Sequence, residues 1–357
     1  MEWGFRWYGE EGDTIPLSHV KQIPGMDGVV GTLLDKLPGD VWEIDEIADF
    51  KASVEKKDMK LLGIESVSVH DAIKAGTDER DHYIDNYIQT IKNLSANGVH
   101  MICYSFKPIF GWFKTNLNYE NEDGSKALLF DYEVIEDMEA KDMYTLINSQ
   151  SKGFRLSGWE EERLDKFKEL EAMYEGQTRD DLFANLTYFL ERIIPVAEEY
   201  KVKMAIHPDD PPFEIFNYPR ITKNLEDLKK ILSIVDSPYN GLTLCTGSLG
   251  ADPNNDIVEI IEEVGDKINF VHFRNVKFLG ERKFKESAHL SSDGSLDMYA
   301  IMKALVDNGY DGPVRPDHGR MVWGEEAIPG YGLYDRAMGI TYMQGLHEAI
   351  VKASEAK

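Results

Sequence analysis

Residues 202–208 read VKMAIHP, 241–247 GLTLCTG, 268–274 INFVHFR and 312–318 GPVRPDH. These are short β-prone runs, several apolar nearly throughout, as expected of strands covered on both faces of a parallel sheet. Near its C-terminal end each carries a residue that can bind a metal: His207, Cys245, His272 and Asp317. The separations of 38, 27 and 45 residues each suit about one strand-helix unit. Four earlier runs, GFRWY (4–8), VVGTLL (29–34), MKLLGIE (59–65) and VHMICYSF (99–106), bring the number to eight. Eight strands alternating with helical segments predict an α/β chain closed into a (β/α)8 TIM barrel, one domain over residues 1–357.

The segments between the runs have helical period. Between Arg80 and Asn97, residues Ile84, Tyr87, Ile88, Ile91 and Leu94 recur at spacings of three and four, and Gly98 supplies a stop. From Thr178 to Tyr200 a second pattern opens with Thr178 and Asp181 spaced as in a capping box, and Pro195 predicts a kink or break near its end. One connection is out of scale. Lys107 to Gln177 spans 71 residues after the fourth strand, where such loops usually run to a handful. Helical patterns over Tyr132–Ile147 and Trp159–Tyr174, the latter beside a Ser157/Glu160 cap, mark it as a long helical insertion, either a lid over the active-site end or an oligomer arm.

The chain has 39 Lys and Arg against 64 Asp and Glu, a formal charge of −25, which repels nucleic-acid phosphates and anionic membranes. Nothing resembles a membrane span or an export signal. With only Cys103 and Cys245 there is no disulfide framework. The expectation is a cytoplasmic protein, a homo-oligomer, with a small anionic partner and no nucleic acid or membrane.

In barrel enzymes the active site is built from the C-terminal ends of the strands. Neighbouring strands lie about 4.8 Å apart, so four ligand-type residues on four successive strand ends can converge on one ion. Two imidazoles, a thiolate and a carboxylate suit a divalent transition metal, and the thiolate favours Zn2+ or Fe2+. Arg274, two residues past His272, offers a guanidinium to a carboxylate. Asp209 and Asp210 follow His207, where they either orient it or bind substrate, or simply cap a turn. His289, Arg315, His318 and Arg320 add cationic or titratable groups that could reverse the negative field for an anionic substrate.

Several motifs in order then resemble one family. AIHPDDPP (205–212), the Cys245 strand with GSLGADPNND (247–256), NFVHFRNV (269–276), RPDHGR (315–320) and PGYGLYDRAMG (329–339) are similar to mannonate dehydratases, and FRWYG (5–9) and QIPGMDGVVGTL (22–33) extend the likeness to the N-terminus. The resemblance implies a hydro-lyase converting D-mannonate to 2-keto-3-deoxy-D-gluconate in hexuronate catabolism. It implies a barrel holding Mn2+ or Fe2+ on His207, Cys245, His272 and Asp317, with His318 and Tyr331 as proton-transfer residues. Arg274, Asp209, Arg320 and Lys107 are the expected substrate contacts.

One loop departs from the family. Where its members commonly read CYNFMPV-x-DWTRT, this chain has CYSFKPIFGWFKT over 103–115, so that Ser105, Lys107, Gly111, Phe113 and Lys114 are the changed positions. Lys107 either replaces a lost substrate contact or is a solvated surface lysine. The competing readings are a metal-dependent sugar isomerase or epimerase on the same barrel, which would conserve water, and a sugar-acid binding protein without chemistry.

Overall fold

The chain is described by a computed structural model covering residues 1–156, 159 and 161–355. Its strands are β1 (Glu2–Arg6), β2 (Gly28–Gly31), β3 (Lys60–Glu65), β4 (Met101–Tyr104), β5 (Asn116–Glu120), β6 (Lys126–Asp131), β7 (Lys203–Ile206), β8 (Asn240–Cys245), β9 (Ile268–His272), β10 (Val276–Gly280), β11 (Lys283–Glu286) and β12 (Pro313–Arg315). Eight of them close a parallel barrel in the order β1-β12-β9-β8-β7-β4-β3-β2. Each of the eight predicted runs overlaps a barrel strand. The register pairs Cys245 with His272 and His272 with Arg315, so the chemistry-bearing residues share one level.

The barrel interior is packed. Val30, Met101, Cys103, Ala205 and Phe270 form an apolar layer, which makes Cys103 a core residue, with the Thr243 hydroxyl 3.3 Å from its Sγ. Outside, apolar helix faces cover the strands. The predicted helix at Arg80 runs Arg80–Ala96, and the next long helix runs Arg179–Glu199, opened by the expected Thr178–Asp181 capping box. Pro195 does not end that helix, which continues through it to Glu199. Its missing N–H removes one bond, and Ile193, Ile194 and Ala197, all fully buried, hold the turn against the barrel.

The insertion is not helical throughout, as the sequence reading expected. It opens with the hairpin β5–β6, and β6 pairs with β11 in a four-stranded antiparallel sheet of order β10-β11-β6-β5. The pattern read from Tyr132 to Ile147 resolves into a short 3-10 turn at Tyr132–Val134 and a helix at Ala140–Gln150. Helices Glu161–Asp165 and Phe167–Tyr174 follow, while the expected cap of Ser157 and Glu160 lies outside the described residues. An aromatic core of Phe110, Phe113, Tyr144, Trp159 and Phe167 binds the insertion together, and the same apolar cluster includes Tyr331. Phe113, one of the changed loop positions, is fully buried there.

Asp71 ties the insertion to the barrel. Its carboxylate lies 2.9 Å from Arg163 Nη1 and 2.7 Å from Lys74 Nζ, and accepts from the Tyr174 hydroxyl at 2.6 Å. Burial opposes its ionisation, but Lys74 and Arg163 hold its pKa far below the usual carboxylate range. Asp71→Ala would leave two cations in a largely buried site without their counter-charge, so a loss of about 3–5 kcal/mol is expected. A shift of the denaturation midpoint, with loss of amide-exchange protection over Phe167–Tyr174, checks this.

Candidate metal centre

His207 lies one residue past β7, Cys245 and His272 end β8 and β9, and Asp317 lies two residues past β12. These four strands are consecutive in the barrel. One ligand atom from each of the four residues lies within 4.8 Å of the other three. Cys245 Sγ is 3.6 Å from Asp317 Oδ2, and His272 Nδ1 is 3.7 Å from the same oxygen. His207 Nδ1 sits 2.7 Å from the Pro208 carbonyl; donating its proton there leaves Nε2 with a free lone pair.

The donor set fits a divalent transition metal on two further grounds. Neither ring nitrogen of the fully buried His272 has a well-formed hydrogen bond, the nearest acceptors being Glu65 Oε2 at 3.3 Å from Nε2 and Asp317 Oδ2 at 3.7 Å from Nδ1, and a coordinated ion would relieve one of the two. Burial also holds both imidazoles neutral, the ligating form, with Lys107 acting in the same direction on His207 and Arg315 on His272. Asp317 stays ionised although buried, because His318, Arg315, His272 and Arg274 surround it. The Cys245 thiol is pushed up to about 12 by burial, against the lowering effect of Arg274 and with the raising effect of Asp317. Among these four, the thiol is the group that an ion must deprotonate on binding.

A layer of buried charge fixes these ligands. Arg274 Nη1 donates to Asp210 Oδ2 at 2.9 Å and to Asp317 Oδ2 at 3.0 Å, and lies 3.8 Å from Cys245 Sγ. Asp210 in turn accepts from Lys114 Nζ at 2.7 Å, and both are essentially excluded from solvent. Lys114, a changed loop position, is therefore a buried counter-charge to Asp210, the carboxylate that Arg274 also engages. Beneath the site, Arg315 grips Glu65 with two hydrogen bonds of 3.0 and 2.8 Å, reaches Asp317 Oδ1 at 3.0 Å, and leaves Glu65 Oε2 3.3 Å from His272 Nε2. Glu65 went unremarked in the sequence reading, although it ends β3 and the rule that selected the four ligands would have selected it.

A cavity opens above the ligands, lined by His207 and Asp317 below, His318 and Tyr331 on one side, and Lys107 and Trp112 from the loop after β4. His318 Nε2 and Tyr331 Oη are hydrogen-bonded at 2.9 Å. Lys107 is no solvated lysine: it is 5% exposed, and its Nζ is 3.4 Å from His207 Nδ1. Ile109, Phe110 and Arg163 also line the cavity, so the insertion forms part of its wall.

Three expected substrate contacts are placed otherwise. Asp209 accepts from the backbone N–H groups of Ile221 and Thr222 at 3.0 and 2.8 Å and faces Arg220, so it pins the returning chain, as the capped-turn alternative has it. Arg320 is drawn away by Asp335, which takes its backbone and guanidinium N–H groups at 2.9 to 3.3 Å. Arg274 is at the site but committed to carboxylates of the protein. The structure thus brings together the four ligands, His318, Tyr331 and Lys107, with Arg274 behind them. Glu286, fully buried at the end of β11 near Arg274 and His318, was not found from the sequence, since its strand lies outside the barrel.

The D-mannonate dehydratase (UxuA) family model matches residues 1–357. A mannonate dehydratase of Enterococcus faecalis is 69% identical over 349 residues, covering 98% of each chain. One from Thermotoga neapolitana is 51% identical over 357 residues, covering 99% of each. The crystal structure of mannonate dehydratase from Streptococcus suis serotype 2 superposes with a TM-score of 0.89 at 40% identity, covering 99% of this chain and 96% of that one. A 3-keto-D-glucoside 4-epimerase from E. coli shares the fold alone, at 13% identity, 97% and 99% coverage and a TM-score of 0.56.

Proposed function

Because the chain belongs to the D-mannonate dehydratase family and is a hydro-lyase that acts on a sugar acid, we propose that its catalytic centre is the cluster at the mouth of the barrel. In this reading His207, Cys245, His272 and Asp317 hold Mn2+ or Fe2+, and His318 and Tyr331 handle the protons. The observation that carries it is the 2.9 Å His318–Tyr331 hydrogen bond in the wall of the same cavity as the ligand cluster.

Dehydration of a 2,3-dihydroxy acid removes a weakly acidic C2 proton and expels hydroxide from C3. When bound, a divalent ion supplies Lewis acidity for the negative charge that builds beside the carboxylate. The protein does the rest. Lys107 presents an ammonium to the anionic substrate in a chain whose net charge would repel it. One member of the His318–Tyr331 pair takes the C2 proton, and the pair returns a proton to the leaving hydroxide, so that water departs and the enzyme ends as it began. The enol then gains a proton at C3 and loses one from its C2 hydroxyl, giving the 2-keto-3-deoxy acid. Trp112, within the insertion, has its ring centroid 5.5 Å from that of His318 and helps keep water out. The insertion serves as a lid, a role supported by the part Arg163 takes in the cavity wall. A thiolate ligand suits a reducing cytoplasm.

Chelator-stripped protein reconstituted separately with Mn2+, Fe2+ and Zn2+ and assayed on a panel of aldonic acids tests the reading. D-Mannonate should yield a 2-keto-3-deoxy acid with Mn2+ or Fe2+. Full turnover by the stripped protein would refute it.

A further inference from the structure

PGYGLYDRAMG (329–339) carries Tyr331 on a loop and Arg336 in the first turn of the last helix, Leu333–Glu355. Arg336 is fully buried, and among the described residues no carboxylate meets it in a salt bridge; Asp13 supplies counter-charge from further off. A buried guanidinium without a paired acid is costly, so the destinations of its N–H groups show what it is for. All three of its hydrogen bonds go to backbone carbonyls. Nε donates to Gly332 at 2.7 Å and Nη2 to Tyr331, so one edge of the planar fork grips two consecutive carbonyls. Nη1 donates to the Arg6 carbonyl, at the end of β1, at 3.1 Å. The fork is itself held flat, its central carbon 3.8 Å from the Phe5 ring centroid.

The peptide on the other side of Tyr331 is pinned independently. The Gly330 carbonyl accepts from the Gly319 N–H at 2.8 Å, and the Tyr331 N–H donates to the Ile328 carbonyl at 2.8 Å. Gly330 has a φ of 81°, and a Cβ there would stand 2.7 Å from Leu128 Cδ1 of β6, so the chain turns where glycine is required. Both peptide planes that flank the Tyr331 Cα are therefore anchored, one to the chain just after His318 and the other, through Arg336, to β1. Two fixed planes set the direction of the Cα–Cβ bond between them. A long, rigid ring amplifies any rotation there into a larger displacement of its hydroxyl.

From this geometry we infer that Arg336 is a positioning residue for Tyr331: by tying the Tyr331 and Gly332 carbonyls to the end of β1, it aims the Tyr331 hydroxyl at the cavity beside His318. The inference rests on the assignment of Tyr331 under the proposed function and adds the group that places it. A lysine at this position keeps the charge but not the planar fork, so it cannot hold two neighbouring carbonyls on one edge and a third opposite.

Arg336→Lys is the test, in Mn2+-loaded enzyme with D-mannonate. The expected result is a kcat lower by about 10²-fold, the scale of an ångström of misplacement, with KM and metal content within about 2-fold of the parent enzyme. In a Tyr331→Phe background the same substitution should change the residual single-turnover rate by less than about 2-fold, because the hydroxyl it aims is already gone. An unchanged kcat in Arg336→Lys would overturn the inference, since packing of the ring would then suffice to place it. So would equal falls in the two backgrounds, or a loss of metal matching the loss of kcat, because Arg336 would then only hold the fold together. Should Arg336→Lys not fold, Arg336→Gln keeps one amide donor without the charge and is expected to lower kcat with metal content retained; parental kcat there counts against the inference. Tyr331→Phe alone separates the two levels: activity retained in that variant removes the underlying assignment, whereas an inactive Tyr331→Phe beside a fully active Arg336→Lys removes only the role of Arg336.

Discussion

Tyr331→Phe is expected to lower kcat by about 10²- to 10⁴-fold, the usual contribution of a positioned proton-transfer group, while metal content and fold are retained. The change deletes one oxygen. The ring remains in its apolar surroundings, where Tyr8 packs edge-on at 5.3 Å and the Arg336 guanidinium lies 5.3 Å from the ring centroid. No metal ligand loses a partner, because the bond removed is the one to His318 Nε2. Burial raises the Tyr331 pKa well above its ordinary value, with Tyr8 and Asp317 adding to the effect. An isolated phenolate is thus disfavoured, and the tyrosine needs His318 to carry its proton away. Stopped-assay rates beside metal analysis of the same preparation check the prediction, and near-parental turnover would exclude Tyr331 from proton transfer.

Cys245→Ser should weaken metal binding by more than the 10- to 100-fold typical of residues that only support a ligand, and turnover should fall with occupancy. A serine hydroxyl retains the size of the thiol but is a poor anionic donor at neutral pH. The thiol also sits against Ser248 Oγ at 3.0 Å and Asp317 at 3.6 Å, so its replacement also alters the carboxylate's surroundings. Thermal denaturation gives a readout independent of activity. An ion that binds only the folded chain stabilises it by about 2.7 kcal/mol at 100 times Kd. The parent protein should therefore gain melting temperature with added Mn2+ in a range where Cys245→Ser gains almost none. Equal shifts in the two proteins would remove Cys245 from the ligand set.

The barrel and the clustering of the four candidate ligands were legible in the sequence because both depend on local pattern. Apolar runs of strand length announce themselves, and residues ending parallel strands in a barrel must share one rim, so His207, Cys245, His272 and Asp317 could be selected before any coordinate. Glu65 obeys the same rule at the end of β3. The strands of the accessory sheet did not stand out: β5, β10 and β11 are partly exposed, and the buried β6 finds its partner β11 about 150 residues away, a pairing that no local pattern marks. Glu286 was hidden for that reason. Partners 12 to 15 residues away also explain two of the three expected substrate contacts that are placed otherwise: no local pattern marks Asp335 as the partner of Arg320, or the Ile221 and Thr222 amides as those of Asp209. Lys107 was ambiguous because burial decides the meaning of a lysine, and here the insertion covers it.

Anomalous diffraction from crystals of the Mn2+-loaded protein tests the central claim most directly. A single strong peak at the mouth of the barrel is predicted, within bonding distance of His207, Cys245, His272 and Asp317 together. A peak elsewhere, or one at the barrel mouth from which any of these four side chains turns away, would contradict it.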